Sequence, residues 1–129
     1  MDDALRLHRE TLVRRHMESE NQHDFATTLA TFTRPRYELI ATGAVHDGAE
    51  AVQQYFRDSR ALFTDQRNEL IALHHTDAGV FSEFWLLGTD SFGKAFRCQM
   101  IALFLFEGRD LVCERVYFDA GTILRQLAA

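Results

Sequence analysis

The stretch Glu114-Arg115-Val116-Tyr117-Phe118-Asp119 decides how this chain folds. It follows a long apolar segment and a turn, and it ends two residues before Gly121. An acidic residue at the end of a strand, close to a glycine, is typical of a place where a sheet opens onto a cavity. The function therefore depends on which residues this strand faces.

The rest of the second half of the chain predicts strands that precede this one. Alternating or apolar runs cover residues 68–75, 79–87, 94–107 and 111–119, and turn residues separate them. Because these connections are short, neighbouring strands should form antiparallel hairpins.

The first half of the chain predicts helices. Asp2 or Asp3 can cap a helix that runs to about Gln22, and Asp24 can cap a second, short helix. At about 100° per residue, His16 falls on the same face of the first helix as its apolar residues. A strand over 36–42 and a brief one at 45–46 follow, and the sequence Asp47-Gly48-Ala49-Glu50 resembles the capping box of a third helix. Helices followed by a meander predict one α+β domain over residues 1–129, with the helices on one face of a curved sheet.

Composition narrows the class of protein. The 129 residues carry a net charge of −5, which argues against binding to nucleic acid or to an anionic membrane surface. Two cysteines, Cys98 and Cys113, have no metal-ligand spacing, and no apolar run is long enough to cross a membrane. The acidic start Met1-Asp2-Asp3 does not resemble a signal peptide, so a cytoplasmic location is expected.

Hairpin register predicts which side chains share a face of the sheet. Symmetric turns pair Phe106 with Leu111, and hence Cys98 with Asp119; they also pair Glu83 with Cys98 and Ala72 with Glu83. This places Glu83, Cys98 and Asp119 in one row, beside rows that contain Met100 and Tyr117 on one side and Trp85 on the other. The opposite face should form a homodimer interface and carries Arg97, Gln99, Ile101, Leu103, Leu105, Val112, Glu114, Val116 and Phe118.

These rows predict a pocket for a small molecule. Asp119 is the candidate acid/base, with Glu83 or His16 as its partner, because burial and a neighbouring carboxylate separate the pKa values of two acids. The candidate ligand-binding residues are Tyr37, Tyr55, Trp85, Cys98, Met100, Arg115 and Tyr117. Structural alternatives stay open: Asp119 as a helix cap, Glu83 in an ion pair with Arg115 or Arg97, and His16 as a satisfied core histidine.

Several segments resemble the nuclear transport factor 2-like superfamily, and more narrowly its SnoaL-like branch, which includes polyketide cyclases. They are His46-Asp47-Gly48, Glu83-Phe84-Trp85 with Gly88-Thr89, the stretch 114–119, and Leu124-Arg125-Gln126-Leu127. The resemblance implies a cystatin-like cone, in which a bent antiparallel sheet wraps around the N-terminal helices, and usually a dimer. Polyketide cyclases of this branch close rings by an aldol step with an Asp at the end of the last strand, the position of Asp119. Their histidine on the preceding long strand is missing from residues 94–107, and the aspartate of the steroid isomerases is missing from residues 41–45.

Together these observations predict a domain that binds a small, largely apolar, oxygenated molecule. Cofactor-free acid/base chemistry of the cyclase, isomerase or dehydratase type is expected, with no metal. The alternative is a domain that binds a ligand without turning it over, or a structural homodimer.

Overall fold

A computed structural model describes all residues, 1–129, and confirms the α+β fold. The elements are α1 (Asp3–Asn21), α2 (Phe25–Ala30), β1 (Arg36–Leu39), β2 (Ala44–Asp47), α3 (Ala49–Leu62), β3 (Arg67–His75), β4 (Gly79–Thr89), β5 (Ala95–Glu107), β6 (Asp110–Tyr117) and α4 (Ala120–Ala128). None of the helices combines the length and the apolar character needed to span a bilayer.

All six strands form one bent, unclosed sheet in the order β2-β1-β6-β5-β4-β3. The sheet is mixed rather than all antiparallel, because β1 runs parallel to β6, with Tyr37 beside Glu114. Tight turns determine the direction of consecutive strands only, and β1 and β6 lie far apart in the chain. This parallel pair brings the first strand next to the stretch that decides the fold.

Register departs from the prediction in part of each of the three hairpins. The turn between β3 and β4 pairs His75 with Val80 and Ala72 with Glu83, as predicted, but the register shifts between Leu70 and Ala72, so that Trp85 lies opposite Glu69. The turn between β4 and β5 is longer, so that Glu83 lies opposite Ile101 rather than Cys98. A register shift of three residues, like any odd shift, turns a strand's side chains to the other face.

The last hairpin contains an irregularity between Leu105 and Phe106. Phe106 pairs with Leu111 as predicted, but Leu103 then lies opposite Arg115, where Ala102 was expected. A β-bulge adds one residue to one strand and inverts the faces beyond it. The predicted row Ala72–Glu83–Cys98–Asp119 is therefore wrong, and Glu114 and Val116 belong to the inner face rather than to the outer one.

The inner face of the sheet packs against α1 and α3. A single apolar cluster fills the space between them, and removing its surface from water supplies the main driving force for folding. Its buried members are Val13, Met17, Phe32, Tyr37, Val52, Phe56, Val80, Phe84, Cys98, Met100, Ala102, Phe104, Phe106, Leu111 and Val116.

Helix caps agree with the sequence in two cases of three. Asp2 accepts a hydrogen bond from Leu5 N at 2.7 Å, and Asp24 accepts one from Thr27 N at 3.3 Å. The predicted capping box of α3 is wrong, because Gly48 precedes the helix without a side-chain cap and Asp47 pairs with Arg34 at 3.3 Å.

Arg9 fastens α1 to the tips of two hairpins. Its Nε donates to Gly108 O at 2.9 Å and its Nη1 donates to Asp77 O at 3.3 Å, and the residue is only 4% exposed. The guanidinium also lies over the Phe106 ring at 5.2 Å. Because α1 carries His16, this anchor helps to determine where that histidine lies in the interior.

We expect Arg9→Met to lower the free energy of unfolding by about 1–3 kcal/mol, because two carbonyl groups lose a charged donor in a buried place. Arg6→Met on the exposed side of the same helix is the matched control and should cost at most about 0.5 kcal/mol. Urea titration monitored by circular dichroism measures both values. Equal effects of the two substitutions would contradict the anchoring role.

Candidate functional site

His16 lies at the centre of a buried polar cluster that combines a histidine with carboxylates. It faces inward from α1 and is 0% exposed. Its ring packs edge-on against Phe32 and Phe104, with centroid separations of 5.3 and 5.0 Å. A polar ring in such surroundings needs hydrogen-bond partners for both nitrogens.

Hydrogen bonding assigns the proton on Nδ1. The hydroxyl of Thr31 lies 2.9 Å from His16 Nδ1 and donates its own hydrogen to Thr28 O at 2.6 Å. A threonine hydroxyl has one hydrogen, so Thr31 accepts from His16, and Nδ1 carries a proton. The chemistry of the ring therefore takes place at Nε2.

Three oxygen atoms surround His16 Nε2. The hydroxyl of Tyr37 lies at 2.8 Å, Glu114 Oε1 at 2.7 Å and Glu20 Oε1 at 3.0 Å. Glu20 reaches it because it follows His16 by four residues on α1, one turn along the same face. Tyr37 and Glu114 reach it because they are partners in the parallel pair of β1 and β6.

Glu114 is the residue whose hydrogen bonding is incomplete. It is 5% exposed, and its Oε1 has no hydrogen bond of proper geometry despite the short distance to His16. The hydrogen bond of proper geometry at Nε2 is the one with the Tyr37 hydroxyl. Glu114 Oε1 is therefore held near His16 by the attraction of an ion pair at 2.7 Å rather than by a directed hydrogen bond.

Burial and mutual charge shift the pKa values of this cluster. Burial alone would lower the pKa of His16, but the nearby carboxylates of Glu20 and Glu114 outweigh it and raise that pKa to about 9. Burial, and then the charge of Glu20, raise the pKa of Glu114. Burial and the charge of Glu114 also raise the pKa of Tyr37 well above its ordinary value. His16 is therefore a cation at neutral pH, and Tyr37 keeps its proton.

Arg60 of α3 balances the second carboxylate. Its Nη2 lies 3.6 Å from Glu20 Oε2, and its guanidinium lies over the Phe25 ring at 5.0 Å. Arg60 Nε is buried and has no hydrogen-bond acceptor. Two cations, His16 and Arg60, thus face two carboxylates, Glu20 and Glu114, so the cluster is electrically neutral.

A cavity opens beside this cluster. Its unoccupied space is about 510 Å³ when the open mouth is included. The part in which the centre of a water molecule fits has a volume of about 50 Å³. Room for several waters beside the Glu114 carboxylate is suited to a polar ligand atom. Its lining residues are Met17, Glu20, Tyr37, Tyr55, Arg60, Gln66, Arg67, Asn68, Phe84, Leu86, Met100, Phe104, Glu114 and Val116.

Some residues predicted from the sequence lie at this cavity. Tyr37, Tyr55 and Met100 line it, and His16 lies behind Tyr37 and Glu114. Burial raises the pKa of Tyr55 above its ordinary value, so its hydroxyl stays a hydrogen-bond donor. Cys98 is buried on the inner face but is not part of the cavity wall.

Asp119 lies elsewhere, at the end of β6 and the start of α4. Its Oδ1 accepts a hydrogen bond from Gly121 N at 2.9 Å, and its side chain is 68% exposed. The hydrogen bonds from Gly121 and Thr122 lower its pKa. This is the helix cap that the sequence left open as an alternative.

The remaining predicted residues lie on the outer face. The observed register turns the side chains of β4 and β6 to the face opposite to the predicted one. Glu83 pairs with His74 at 2.7 Å and with neither arginine that was expected. Arg115 pairs with Glu38 at 2.7 Å, and Trp85 lies under the guanidinium of Arg97 at 4.0 Å. Tyr117 also faces outward and is 40% exposed. The predicted grouping of Trp85, Arg115 and Tyr117 around an inner pocket is therefore wrong.

Sequence reasoning missed Glu114, Glu20 and Arg60. The spacing of four between His16 and Glu20 was a usable signal, since it places both on one helix face. Glu114 had no such signal, because its face depends on a bulge that no residue type marks. Arg60 follows Tyr55 by five residues on α3, and nothing local separates it from solvent-exposed arginines.

His16, Glu20 and Glu114 have the donor atoms of a metal site, and their nearest ligand atoms all lie within 4.8 Å of one another. Imidazole and carboxylate are suitable ligands, and the hydrogen bond from Nδ1 to Thr31 is the usual second contact of a metal-bound histidine. The same atoms, however, already lie at ion-pair distances of 2.7 and 3.0 Å from His16 Nε2. A metal would have to displace the proton that His16 retains at neutral pH.

The bent sheet around a long helix, with a polar cluster at its inner face, defines a protein of the nuclear transport factor 2-like class. Residues 13–114 match the family model described as the SnoaL-like domain. The chain belongs to this SnoaL-like family. None of the curated proteins compared with the sequence matches it.

Solved structures of low sequence identity share the fold. An NTF2-like protein of unknown function from Burkholderia pseudomallei has a TM-score of 0.84 at 16% identity, with 95% of this chain and 98% of that chain covered. IdmH from Streptomyces antibioticus, a proposed polyketide cyclase, has a TM-score of 0.79 at 20% identity, with 93% and 98% covered. A protein from Catenulispora acidiphila with a ketosteroid isomerase-like fold, in complex with trimethylamine, has a TM-score of 0.80 at 17% identity, with 89% and 90% covered.

The raised pKa of His16 predicts how stability depends on pH. Its pKa rises from 6.5 in the unfolded chain to about 9 in the folded one, so the folded state holds this proton more tightly. The resulting stabilisation is complete below pH 6.5 and is lost as the pH rises towards 9; for a shift of this size it is about 3 kcal/mol.

Urea titrations of the wild type, His16→Gln and the exposed control His74→Gln between pH 6 and 10 measure this effect. Wild type and His74→Gln should lose stability over that window, and His16→Gln should show a much flatter profile. An unchanged slope in His16→Gln would contradict the assignment of the proton to His16.

Proposed function

We propose that this protein transfers protons on a small, largely apolar, oxygenated molecule bound in the cavity, with the carboxylate of Glu114 as the proton acceptor. The observation that carries the proposal is Glu114 itself, a buried carboxylate in the cavity wall whose Oε1 faces His16 without a directed hydrogen bond. A general base has to lie within hydrogen-bond reach of the proton that it removes, and a carboxylate in the cavity wall can be reached by a bound ligand.

The surroundings of Glu114 suit this role. Its raised pKa makes the carboxylate a stronger base than an exposed glutamate. The cationic His16 at 2.7 Å favours the ionised form of this carboxylate, and Tyr37 is the neighbouring donor. When Glu114 takes a proton from the ligand, negative charge develops on a ligand oxygen. The Tyr55 hydroxyl, which lines the cavity and has no partner in the protein, is the donor for that oxygen.

The reaction class follows from proton transfer without a cofactor. Removal of a proton next to a carbonyl leads to ring closure, to isomerisation or to loss of water, and the proposal covers these three. Membership of the SnoaL-like family and the similarity to IdmH support it. In this proposal Glu114 has the part that the resemblance to polyketide cyclases gave to Asp119, and Asp119 caps α4.

The test uses 5-nitrobenzisoxazole, a neutral probe whose isoxazole ring opens at its N–O bond when a base removes the C–H proton of that ring. We expect the wild type to accelerate this opening and Glu114→Gln to lower the rate about 100-fold, as for loss of a general base. Absorbance of the phenolate product measures the rate. The wild-type rate should rise with pH through an apparent pKa above the 4.5 of an ordinary glutamate.

Glu83→Gln on the outer face is the matched control and should keep the wild-type rate. Leu86→Trp places a larger side chain in the cavity and leaves Glu114 in place. Like Glu114→Gln, this variant should have a strongly reduced rate. Equal rates in Glu114→Gln and the wild type would refute the proposal. Binding of the probe without acceleration in the wild type would favour the alternative, a domain that only binds its ligand.

We also propose a homodimer through the outer face of the sheet. The support is a row in which Glu83, Ile101 and Tyr117 lie opposite one another on β4, β5 and β6. Ile101 and Tyr117 are each 40% exposed, and Ile71 on β3 is 45% exposed. Apolar side chains grouped on one face of a sheet are typical of an interface.

For this proposal we expect Ile101→Glu to shift the protein from dimer to monomer, because two like charges would be buried at a twofold interface. Ile40→Glu, at a site 47% exposed between β1 and β2, is the control and should stay dimeric. Sedimentation velocity distinguishes the two states. A monomeric wild type, or a dimeric Ile101→Glu, would exclude this interface.

A further inference from the structure

We propose that Gln66 and Arg67 form a second polar binding position in the cavity, which takes the carboxylate of the ligand. The substrate class would be small cyclic or aromatic acids that also carry a carbonyl group. This inference rests on the proposed function of Glu114, and it adds which group binds at the mouth and how the ligand is oriented.

Gln66 is a buried amide with no partner in the protein. The residue is 7% exposed and lines the cavity. Its backbone N–H donates to Phe63 O at 3.1 Å, and its backbone carbonyl lies 3.1 Å from His23 Nε2. The side-chain amide makes no hydrogen bond to the chain. Because Gln66 lines the cavity and its amide is not tied up within the protein, a ligand oxygen is a suitable acceptor for it.

Arg67 adds a charge beside this amide. It lines the cavity and also the neighbouring hollow between the ends of β4 and β5 and α4. Its contacts within the protein are long: Nη1 lies 3.4 Å from Asp65 O and 3.8 Å from Asp65 Oδ2. Guanidinium–carboxylate pairs normally lie about 2.7–2.9 Å apart.

Asp65 cannot come closer, because its carboxylate is engaged elsewhere. Its Oδ1 accepts from Thr89 N at 2.7 Å and its Oδ2 accepts from Thr89 Oγ1 at 2.7 Å. These two bonds hold Asp65 against the end of β4. The guanidinium of Arg67 therefore keeps most of its donors available at the mouth of the cavity.

Charge balance then determines which end of a ligand binds where. The deep cluster is neutral, with His16 and Arg60 facing Glu20 and Glu114. Arg67 at the mouth is the cation without a close partner. A carboxylate is therefore attracted to the mouth, and it would be repelled next to the ionised Glu114. The carbonyl end with the acidic proton then faces Glu114 and Tyr55.

The test compares phenylpyruvate with its primary amide, two probes of nearly equal shape that differ in charge. Phenylpyruvate has a carboxylate, a ketone and an acidic C–H next to that ketone. Isothermal titration calorimetry of the wild type should give a dissociation constant about tenfold lower for the acid than for the amide, as a charge-assisted hydrogen bond would. This comparison needs no variant and hence does not depend on a variant's stability.

Variants assign the preference to residues. Arg67→Gln should weaken the acid about tenfold and leave the amide nearly unchanged, so that the preference disappears. Gln66→Met should weaken both probes. Arg57→Gln, an exposed arginine bonded to Gln54 on α3, is the control and should keep the preference.

Equal affinity of the wild type for acid and amide, failure of both to bind, or a preference that survives Arg67→Gln would overturn the inference. The rate assay with 5-nitrobenzisoxazole separates this outcome from failure of the proposed function, because that probe carries no carboxylate. A Glu114-dependent rate together with equal binding of acid and amide would reject only the role of Gln66 and Arg67.

Discussion

The buried imidazole of His16 is the contact on which the rest of the interior depends. One nitrogen is bonded to Thr31 after α2, and the other lies within 3.0 Å of groups on α1, β1 and β6. Because a buried polar ring needs partners at both nitrogens, these four elements have to meet at one point. Arg9 lies about two turns before His16 on the same face of α1. It holds α1 against the hairpin tips and so keeps the ring in that position.

The parallel pairing of β1 with β6 follows from the same constraint. Tyr37 and Glu114 lie side by side across these strands, and each has its polar end directed at His16. The core aromatic rings around the polar cluster fit this arrangement, in which Tyr37 also packs against Phe56 with a centroid separation of 5.5 Å.

Sequence patterns were sufficient for the fold class, the helix with His16 inward, and the caps Asp2 and Asp24. Those features depend on local periodicity and on single side chains at helix starts. The site was harder, because its key acid depends on register. One extra residue at Leu105/Phe106 exchanged the faces of β6, so that Glu114 took the inward position expected for Arg115. Tyr37, Tyr55, Met100 and His16 were predicted correctly as inward residues because none of them depends on that bulge.

The two buried carboxylates illustrate how environment separates chemically equal groups. Glu20 lies within 3.6 Å of Arg60 and 3.0 Å of His16, so both of its oxygens face a cation. Glu114 has one cation beside it and an oxygen without a hydrogen bond at the cavity wall. Pairs of acids whose surroundings differ in this way divide into a stabilising and a reactive member. Glu20 then serves to hold the proton on His16, and this cation favours the carboxylate form of Glu114 in the cavity wall. The acid at the end of the strand, Asp119, has only exposed partners at α4, and its lowered pKa makes it a weaker base than Glu114.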